Sequence, residues 1–155
     1  MTASPDLRSS EVEAMTDVEE AWNRGDLDAM LAHAPPDAVW VTAEENPAAR
    51  TLHGPAEIRA YLEDWRDTVH GLQFEVSERV DTGEALVTIG RISGQAGEDG
   101  PEVTTSLALV TRFRDGVPVR TEEYLDAERA LAAARPGPSR RGARAPCPRS
   151  RRCPG

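Results

Sequence analysis

Lysine is absent from the 155-residue sequence, and the two cysteines, Cys147 and Cys153, lie close to its end. We therefore expect no disulfide framework and no metal site in the body of the protein, and nothing indicates a cofactor. No stretch approaches the roughly 20 apolar residues of a membrane-spanning helix, and the amino terminus lacks the apolar core of a signal peptide. The sequence predicts a cytoplasmic protein without a membrane partner.

Positive charge is scarce in residues 1–134 and concentrated in residues 135–155. All 27 acidic residues lie in the first range, whereas seven of the 18 arginines lie in the second, which has no acid. The acidic body would repel phosphate, so we expect no nucleic acid partner for it. Residues 1–9 and the Pro/Arg-rich basic tail 135–155 are predicted to be disordered. The tail could touch nucleic acid or the acidic body, although such charge runs commonly remain solvated.

Residues 10–134 show the periodicity of one domain that begins with helices. Helical spacing predicts a first helix over Ser10–Asn23, and Asp26 is placed to cap a short second one. Gly54-Pro55 opens a third helix, with proline at its first position. Between them, Ala38–Thr42 predicts a strand and Ala43–Leu52 a loop long enough to lie over a pocket mouth.

The second half of the domain has the alternating pattern of long strands. Three strands are predicted over residues 72–80, 84–94 and 102–114. Asp115-Gly116 then predicts a tight hairpin turn into a strand over Val117–Tyr124, and a closing helix follows. Helices that precede such a meander indicate the α+β class, with the helices covering the concave face of a curved antiparallel sheet.

Several phrases, in this order, carry a resemblance to a known family. They are Ala21–Ala29 (AWNRGDLDA), His53–Ile58 (HGPAEI), Phe113–Gly116 (FRDG) and Glu123–Asp126 (EYLD). Residues 10–134 resemble the SnoaL-like branch of the nuclear-transport-factor-2-like, or ketosteroid-isomerase-like, superfamily. The resemblance implies a cone-shaped sheet with three N-terminal helices over its concave face, and a homodimer formed through the outer sheet face. This fold hosts isomerases, hydrolases, cyclases, dehydratases and non-catalytic binders, so the activity stays open.

Matching the strands to the family's final hairpin implies which side chains face the cavity. Alternate residues of a strand share one face, so residues two positions away from a matched residue are expected to face the cavity as well. Trp65 joins them as core or pocket wall. The implied wall consists of Trp40, Thr42, Trp65, Ile89, Arg91, Ser93, Thr105, Leu107, Leu109, Thr121 and Glu123.

Two catalytic patterns of the superfamily match only in part. Members similar to limonene epoxide hydrolase use two aspartates bridged by an arginine, with a tyrosine and an asparagine that orient water. Arg91 matches the arginine and Glu123 one aspartate, whereas Ser93, Trp40 and Thr42 stand at the other three positions. In members that resemble ketosteroid isomerase, the carboxylate base and the first-helix tyrosine would correspond to Thr42 and Val18 here.

Arg91 and Glu123 therefore remain the candidate pair. Glu123 would act as general acid or base beside Arg91, and the alternative is a purely structural ion pair. His53 is a second candidate for proton transfer, although a surface position before the helix is the simpler interpretation. Glu44 or Glu45 could reach the cavity from the loop.

Three functions follow as hypotheses. The first is binding of a small hydrophobic molecule in the cavity by a homodimeric protein. The second is a cofactor-free isomerase, cyclase or hydrolase that uses Glu123 with Arg91. The third is a non-catalytic protein-interaction dimer whose cavity is filled by side chains. A cavity on the order of 300 Å³ or more would favour the first two.

Overall fold

The structure is a computed structural model that describes residues 5–47 and 49–135. Residues 1–4 and nearly all of the predicted basic tail lie outside these ranges. The helices are α1 (Pro5–Asn23), α2 (Leu27–Met30), α3 (Pro55–Thr68) and α4 (Ala127–Ala134). The strands are β1 (Val39–Val41), β2 (Thr51–His53), β3 (Val69–Asp81), β4 (Leu86–Ala96), β5 (Glu102–Arg114) and β6 (Val117–Tyr124).

The six strands form one curved sheet in the order β2-β1-β6-β5-β4-β3. The four long strands are joined by hairpins and run antiparallel, as predicted. The pair β1–β6 is parallel, with Trp40 opposite Thr121. The sheet is therefore mixed rather than wholly antiparallel, because the chain between β1 and β6 is a long crossover and not a hairpin.

The two faces of the sheet have separate apolar cores. On the concave face, α1 and α3 pack over β3, and their shared core includes Trp22, Tyr61 and Phe74. On the outer face, α4 buries Ala130 and Ala134 against a second cluster from β4 and β5. The α+β prediction is confirmed, with three N-terminal helices on the concave face and the closing helix on the outer one.

Three boundaries differ from the predicted ones. α1 begins at Pro5, five residues before the predicted cap at Ser10, because proline is well suited to the first helical turn. The helix thus includes residues 5–9 of the segment predicted to be disordered, and residues 1–4 lie outside the described residues. β2 begins at Thr51, within the predicted loop, and ends one residue beyond it at His53. It pairs with β1, and a three-residue strand is too short to show periodicity.

The third difference is at β3, which begins at Val69 rather than at residue 72. Gly71 lies within β3 at a register irregularity between His70 and Gln73, with φ +66°. A positive φ, which glycine adopts readily, therefore allows a bulge in the strand at this position.

None of the helices in the described ranges is long and apolar enough to cross a membrane.

Candidate ligand cavity

A cavity of about 500 Å³ lies between the N-terminal helices and the concave face of the sheet. Its walls are mostly apolar and include all three tryptophans, Trp22, Trp40 and Trp65. Trp65 and Val103 line it while remaining 39% and 40% exposed, so they mark where the cavity meets solvent. The curved sheet and the helices thus enclose space of the size that small-molecule sites occupy.

Glu123 on β6 extends its carboxylate into this cavity and accepts hydrogen bonds from three donors. The Trp40 indole Nε1–H donates to Oε2 at 2.7 Å, and the backbone N–H of Ala43 donates to Oε1 at 3.2 Å. The Tyr61 hydroxyl donates to Oε1 at 3.0 Å. The parallel pairing of Trp40 with Thr121 explains the first contact, since Glu123 is two residues further along the same face of β6.

The three donors hold the carboxyl group, but none of them is charged. Burial raises the pKa of Glu123 above its ordinary value, and the bonds from Trp40, Ala43 and Tyr61 only partly oppose this effect. Burial, with the nearby Glu123 charge, also raises the pKa of the Tyr61 hydroxyl. Tyr61 therefore stays protonated as a donor, and Glu123 is a carboxyl that can hold a proton nearer neutral pH than an exposed one.

The loop after β1 completes the surroundings of Tyr61. Asn46 Nδ2 donates to the Tyr61 hydroxyl at 3.4 Å, and the Arg50 guanidinium lies 5.7 Å from the centre of the Tyr61 ring. On its outer side, the loop is bound to α4 by Arg129, which contacts Glu44 and Glu45 at 3.0 Å each. These two carboxylates are therefore held by an arginine outside the cavity and do not replace Glu123.

A second carboxylate, Glu19 on α1, also lines the cavity. Arg79 on β3 binds it through both guanidinium nitrogens, Nη2 to Oε1 at 2.5 Å and Nη1 to Oε2 at 2.9 Å. Arg79 also donates to the hydroxyls of Thr88 and Thr16. This bidentate pair fixes α1 on the sheet.

In the described ranges, no three His, Cys, Asp or Glu side chains are grouped as metal ligands would be.

Most of the residues predicted for the cavity wall lie on it. They come from β1, α3, the outer end of β4, and alternate positions of β5 and β6. The cavity is lined by Trp40, Trp65, Ser93, Thr105, Leu107, Leu109, Thr121 and Glu123.

Arg91 and Ile89 do not line this cavity, although Ser93, which was assigned to the same face of β4, does. Ile92 is paired with the buried Phe74 and packs in the concave core, so its neighbour Arg91 faces outward and is exposed. Ile89 packs in the outer cluster beneath α4. The predicted pair between Arg91 and Glu123 therefore does not form. Leu86 to Thr88 are buried on both faces, so this part of β4 has no alternation from which to read its orientation.

His53 and Thr42 also lie away from the cavity wall. His53 is exposed on β2, and its backbone N–H donates to Glu57 at 2.8 Å, so it marks the start of α3. β1 ends at Val41, and the buried Thr42 hydroxyl turns to Arg50, donating to its carbonyl at 3.0 Å and accepting from its N–H at 2.7 Å. Thr42 closes the loop rather than facing a ligand.

Tyr61 is the polar group whose role sequence reasoning missed. Its place on the helical stripe of α3, with Trp65, indicates only a core or pocket-wall position. A buried tyrosine hydroxyl needs a hydrogen-bond partner, and this requirement was the available signal that it approaches a polar group. Its contact with Glu123 joins residues 62 positions apart, so local pattern could not identify the partner.

Comparisons with known proteins identify the same fold. The sequence model of the SnoaL-like domain matches residues 12–121, whereas a comparison with curated proteins found no match. A solved nuclear-transport-factor-2-like protein from Burkholderia thailandensis E264 is 26% identical with a TM-score of 0.67, over 80% of this chain and 95% of that chain. TerC, co-crystallised with polyporic acid, is 21% identical with a TM-score of 0.67, over 79% and 96%. A putative SnoaL-like polyketide cyclase from Jannaschia sp. CCS1 is 16% identical with a TM-score of 0.69, over 88% and 99%.

Proposed function

Because the chain belongs to the SnoaL-like domain family, we propose that it binds a small hydrophobic molecule in its cavity. The observation that supports this proposal is the cavity of about 500 Å³ with apolar walls and one buried carboxyl group, Glu123. Ligand sites in proteins commonly combine about 300–1,000 Å³ of apolar space with a few placed polar groups. TerC, which shares the fold, was co-crystallised with polyporic acid, and this supports an organic ligand.

The cavity volume disfavours the hypothesis of a protein-interaction module with a filled interior. Side chains that filled the cone would leave only voids smaller than a ligand. Leu107 and Thr105 line open space instead.

We retain the homodimer through the outer sheet face as a proposal, and light scattering that gave the mass of a single chain would contradict it. A cytoplasmic location stays a prediction.

Binding in this cavity is tested with a neutral apolar dye, N-phenyl-1-naphthylamine, followed by dye fluorescence and by calorimetry. We expect one bound dye per chain and a change in tryptophan emission, because all three tryptophans line the cavity. Leu107→Phe places extra volume in the cavity and should weaken dye binding about tenfold or more. Ser106→Phe is the matched control, because Ser106 is exposed on the opposite face of the same strand.

Two outcomes would contradict the binding proposal. One is the absence of dye binding to the wild-type protein at concentrations near the solubility of the dye. The other is an equal loss of affinity in Leu107→Phe and Ser106→Phe, since that result would place the dye elsewhere or reflect damage to β5.

A second candidate function, cofactor-free proton transfer by Glu123, has its own supporting observation. The carboxyl faces the cavity with a raised pKa, and a general acid or base is most effective when its pKa is near the working pH. This candidate no longer includes Arg91. Apolar ketones that bind in the cavity would exchange their α-hydrogens for deuterium in D₂O, measured by NMR, and Glu123→Gln would abolish the exchange. Equal exchange with the variant would refute the role of Glu123.

A further inference from the structure

The carboxylates around the cavity differ in how their charge is balanced. Glu19 is bound by Arg79 through two hydrogen bonds of 2.5 and 2.9 Å. Glu45, at the rim, is bound by Arg129 at 3.0 Å. In the part of the chain that the structure describes, Glu123 accepts from an indole, a backbone amide and a phenol, which are neutral donors. No cationic side chain of these ranges therefore donates to this acidic group of the wall.

Among the described residues, the arginines near the cavity do not donate to Glu123, and Arg50 lies against the ring of Tyr61, 5.7 Å from its centre. Arg120 is the only arginine among the described residues that line it, and the chain has no lysine. The Arg120 guanidinium is bound to Glu122 at 2.8 Å. Charge complementarity therefore favours a ligand that carries its own positive charge and disfavours an anionic one.

Aromatic rings are concentrated around the same space. Of the seven aromatic residues in the chain, Trp22, Trp40, Tyr61, Trp65 and Phe74 line the cavity. The faces of such rings attract cations, and organic ammonium groups are recognised by clusters of them. Trp22 shows this attraction within the protein, since the Arg66 guanidinium lies 4.7 Å from its ring centre.

From this combination we propose that the cavity ligand is an organic cation, an apolar molecule that carries an amine or a quaternary ammonium group. Its positive group would lie near the Glu123 carboxylate and the ring of Trp40, while the apolar part contacts the remaining wall. This inference rests on the proposed function and specifies the ligand class. Desolvation of the carboxyl group raises the pKa of Glu123, and a bound cation would lower it again, so binding would favour the ionised carboxylate.

The test compares molecules of nearly one shape and different charge. Benzyltrimethylammonium, neutral neopentylbenzene and anionic phenylacetate each compete with N-phenyl-1-naphthylamine, and the cation is also titrated directly by calorimetry. We expect the cation to bind about tenfold more tightly than the neutral molecule, and the anion to bind most weakly. Glu123→Gln should abolish the preference of the cation over the neutral molecule.

Two further variants keep the test independent of any damage to the fold. Glu75→Gln makes the same charge change on the exposed outer side of β3 and should keep the full preference. Trp65→Leu removes one aromatic face at the half-exposed rim while remaining apolar, and should reduce the preference of the cation without abolishing binding of the neutral molecule.

The outcomes separate the two proposals. Equal affinity for the cation and its neutral counterpart in the wild-type protein would overturn the organic-cation inference while leaving cavity binding intact. A preference retained in full by Glu123→Gln would also overturn it. If neither the dye nor any of the three molecules bound, the proposed function itself would fail.

Discussion

Glu19 and Glu123 are two carboxylates on the wall of one cavity, and they are stabilised in opposite ways. Glu19 faces Arg79, and the two side chains are only 9% and 20% exposed. No arginine of residues 5–47 and 49–135 donates to Glu123, which is held by neutral donors on β1, the following loop and α3. The first arrangement cancels charge within the protein, whereas the second leaves a group that can titrate or meet a charged ligand.

Whether a carboxylate is paired with an arginine or held by neutral donors indicates its role, structural or functional, better than its burial does. A buried ion pair that loses one partner leaves an uncompensated charge, so its removal chiefly affects folding. A carboxyl group held by neutral donors can exist in either protonation state, so its substitution chiefly affects chemistry and binding. Four predictions test this distinction, and they are given from the largest expected effect to the smallest.

Arg79→Met should cause the largest loss of stability, about 3–5 kcal/mol in the free energy of unfolding, because Glu19 would remain buried without its cation. Urea denaturation followed by circular dichroism measures the loss. Arg59→Met is the control, because Arg59 pairs with Asp28 and Glu63 at the surface, and we expect little change. Equal losses for the two variants would contradict a structural role for the Arg79–Glu19 pair.

Trp40→Phe should lower the free energy of unfolding by about 2 kcal/mol, because a hydrogen bond to a carboxylate and part of the indole packing are lost. The same change removes a donor that lowers the pKa of Glu123, so that pKa should rise further. Carbon-13 NMR of labelled glutamate carboxyls follows the titration. A Glu123 pKa unchanged in Trp40→Phe would show that the 2.7 Å contact contributes nothing to the ionised state.

The contribution of Glu123 to the free energy of unfolding should fall as the pH rises. An ordinary ion-paired carboxylate shows the opposite trend. Folding raises the pKa of Glu123 above its ordinary 4.5, so the native state binds the proton more tightly than the unfolded chain does. The stability it contributes is fully present below that value and is lost as the pH rises through the raised pKa. Glu123→Gln cannot ionise, so its stability relative to the wild type should increase over this range. Parallel profiles of unfolding free energy against pH for the two proteins would refute the raised pKa.

Arg91→Ala should have the smallest effect, within about 0.5 kcal/mol of the wild type, since Arg91 is exposed on the outer face. Neither dye affinity nor the titration of Glu123 should change. A shift in the Glu123 titration would show that Arg91 does interact with Glu123, as the sequence suggested. Glu123 would then resemble Glu19 in having an arginine that balances its charge.

The pairing of β5 with β6 could be predicted because a local turn joins the two strands. Asp115 and Gly116 both have positive φ, +56° and +80°, as the Asp-Gly signal predicts for a tight hairpin. With that turn in place, Leu109 lies opposite Glu123 and both face the cavity. The side of both strands that faces the cavity was taken from their match to the family's final hairpin, and this match placed Glu123 in the wall.

β4 was oriented by the same match, but Arg91 and Ile89 do not line the cavity. The start of β4 is buried on both faces, so the sequence has no alternation there that could check its orientation. The donors to Glu123 were equally inaccessible to local patterns, because Trp40, Ala43 and Tyr61 are 83, 80 and 62 positions away along the chain. Such contacts depend on how the helices and β1 lie on the finished sheet.

The parallel pairing of β1 with β6 has a consequence for the order of folding. The meander β3–β6 consists of strands joined by hairpins, whereas Val39–Val41 meets Arg120–Glu122 only after a loop of about 80 residues has closed. Contacts that are this distant in sequence require the chain to lose much conformational entropy before the contacts stabilise it, so they tend to form late. We expect Trp40→Phe to accelerate unfolding and leave the folding rate nearly unchanged. The hydrogen bonds that hold Glu123 would then be among the last to form as the chain folds.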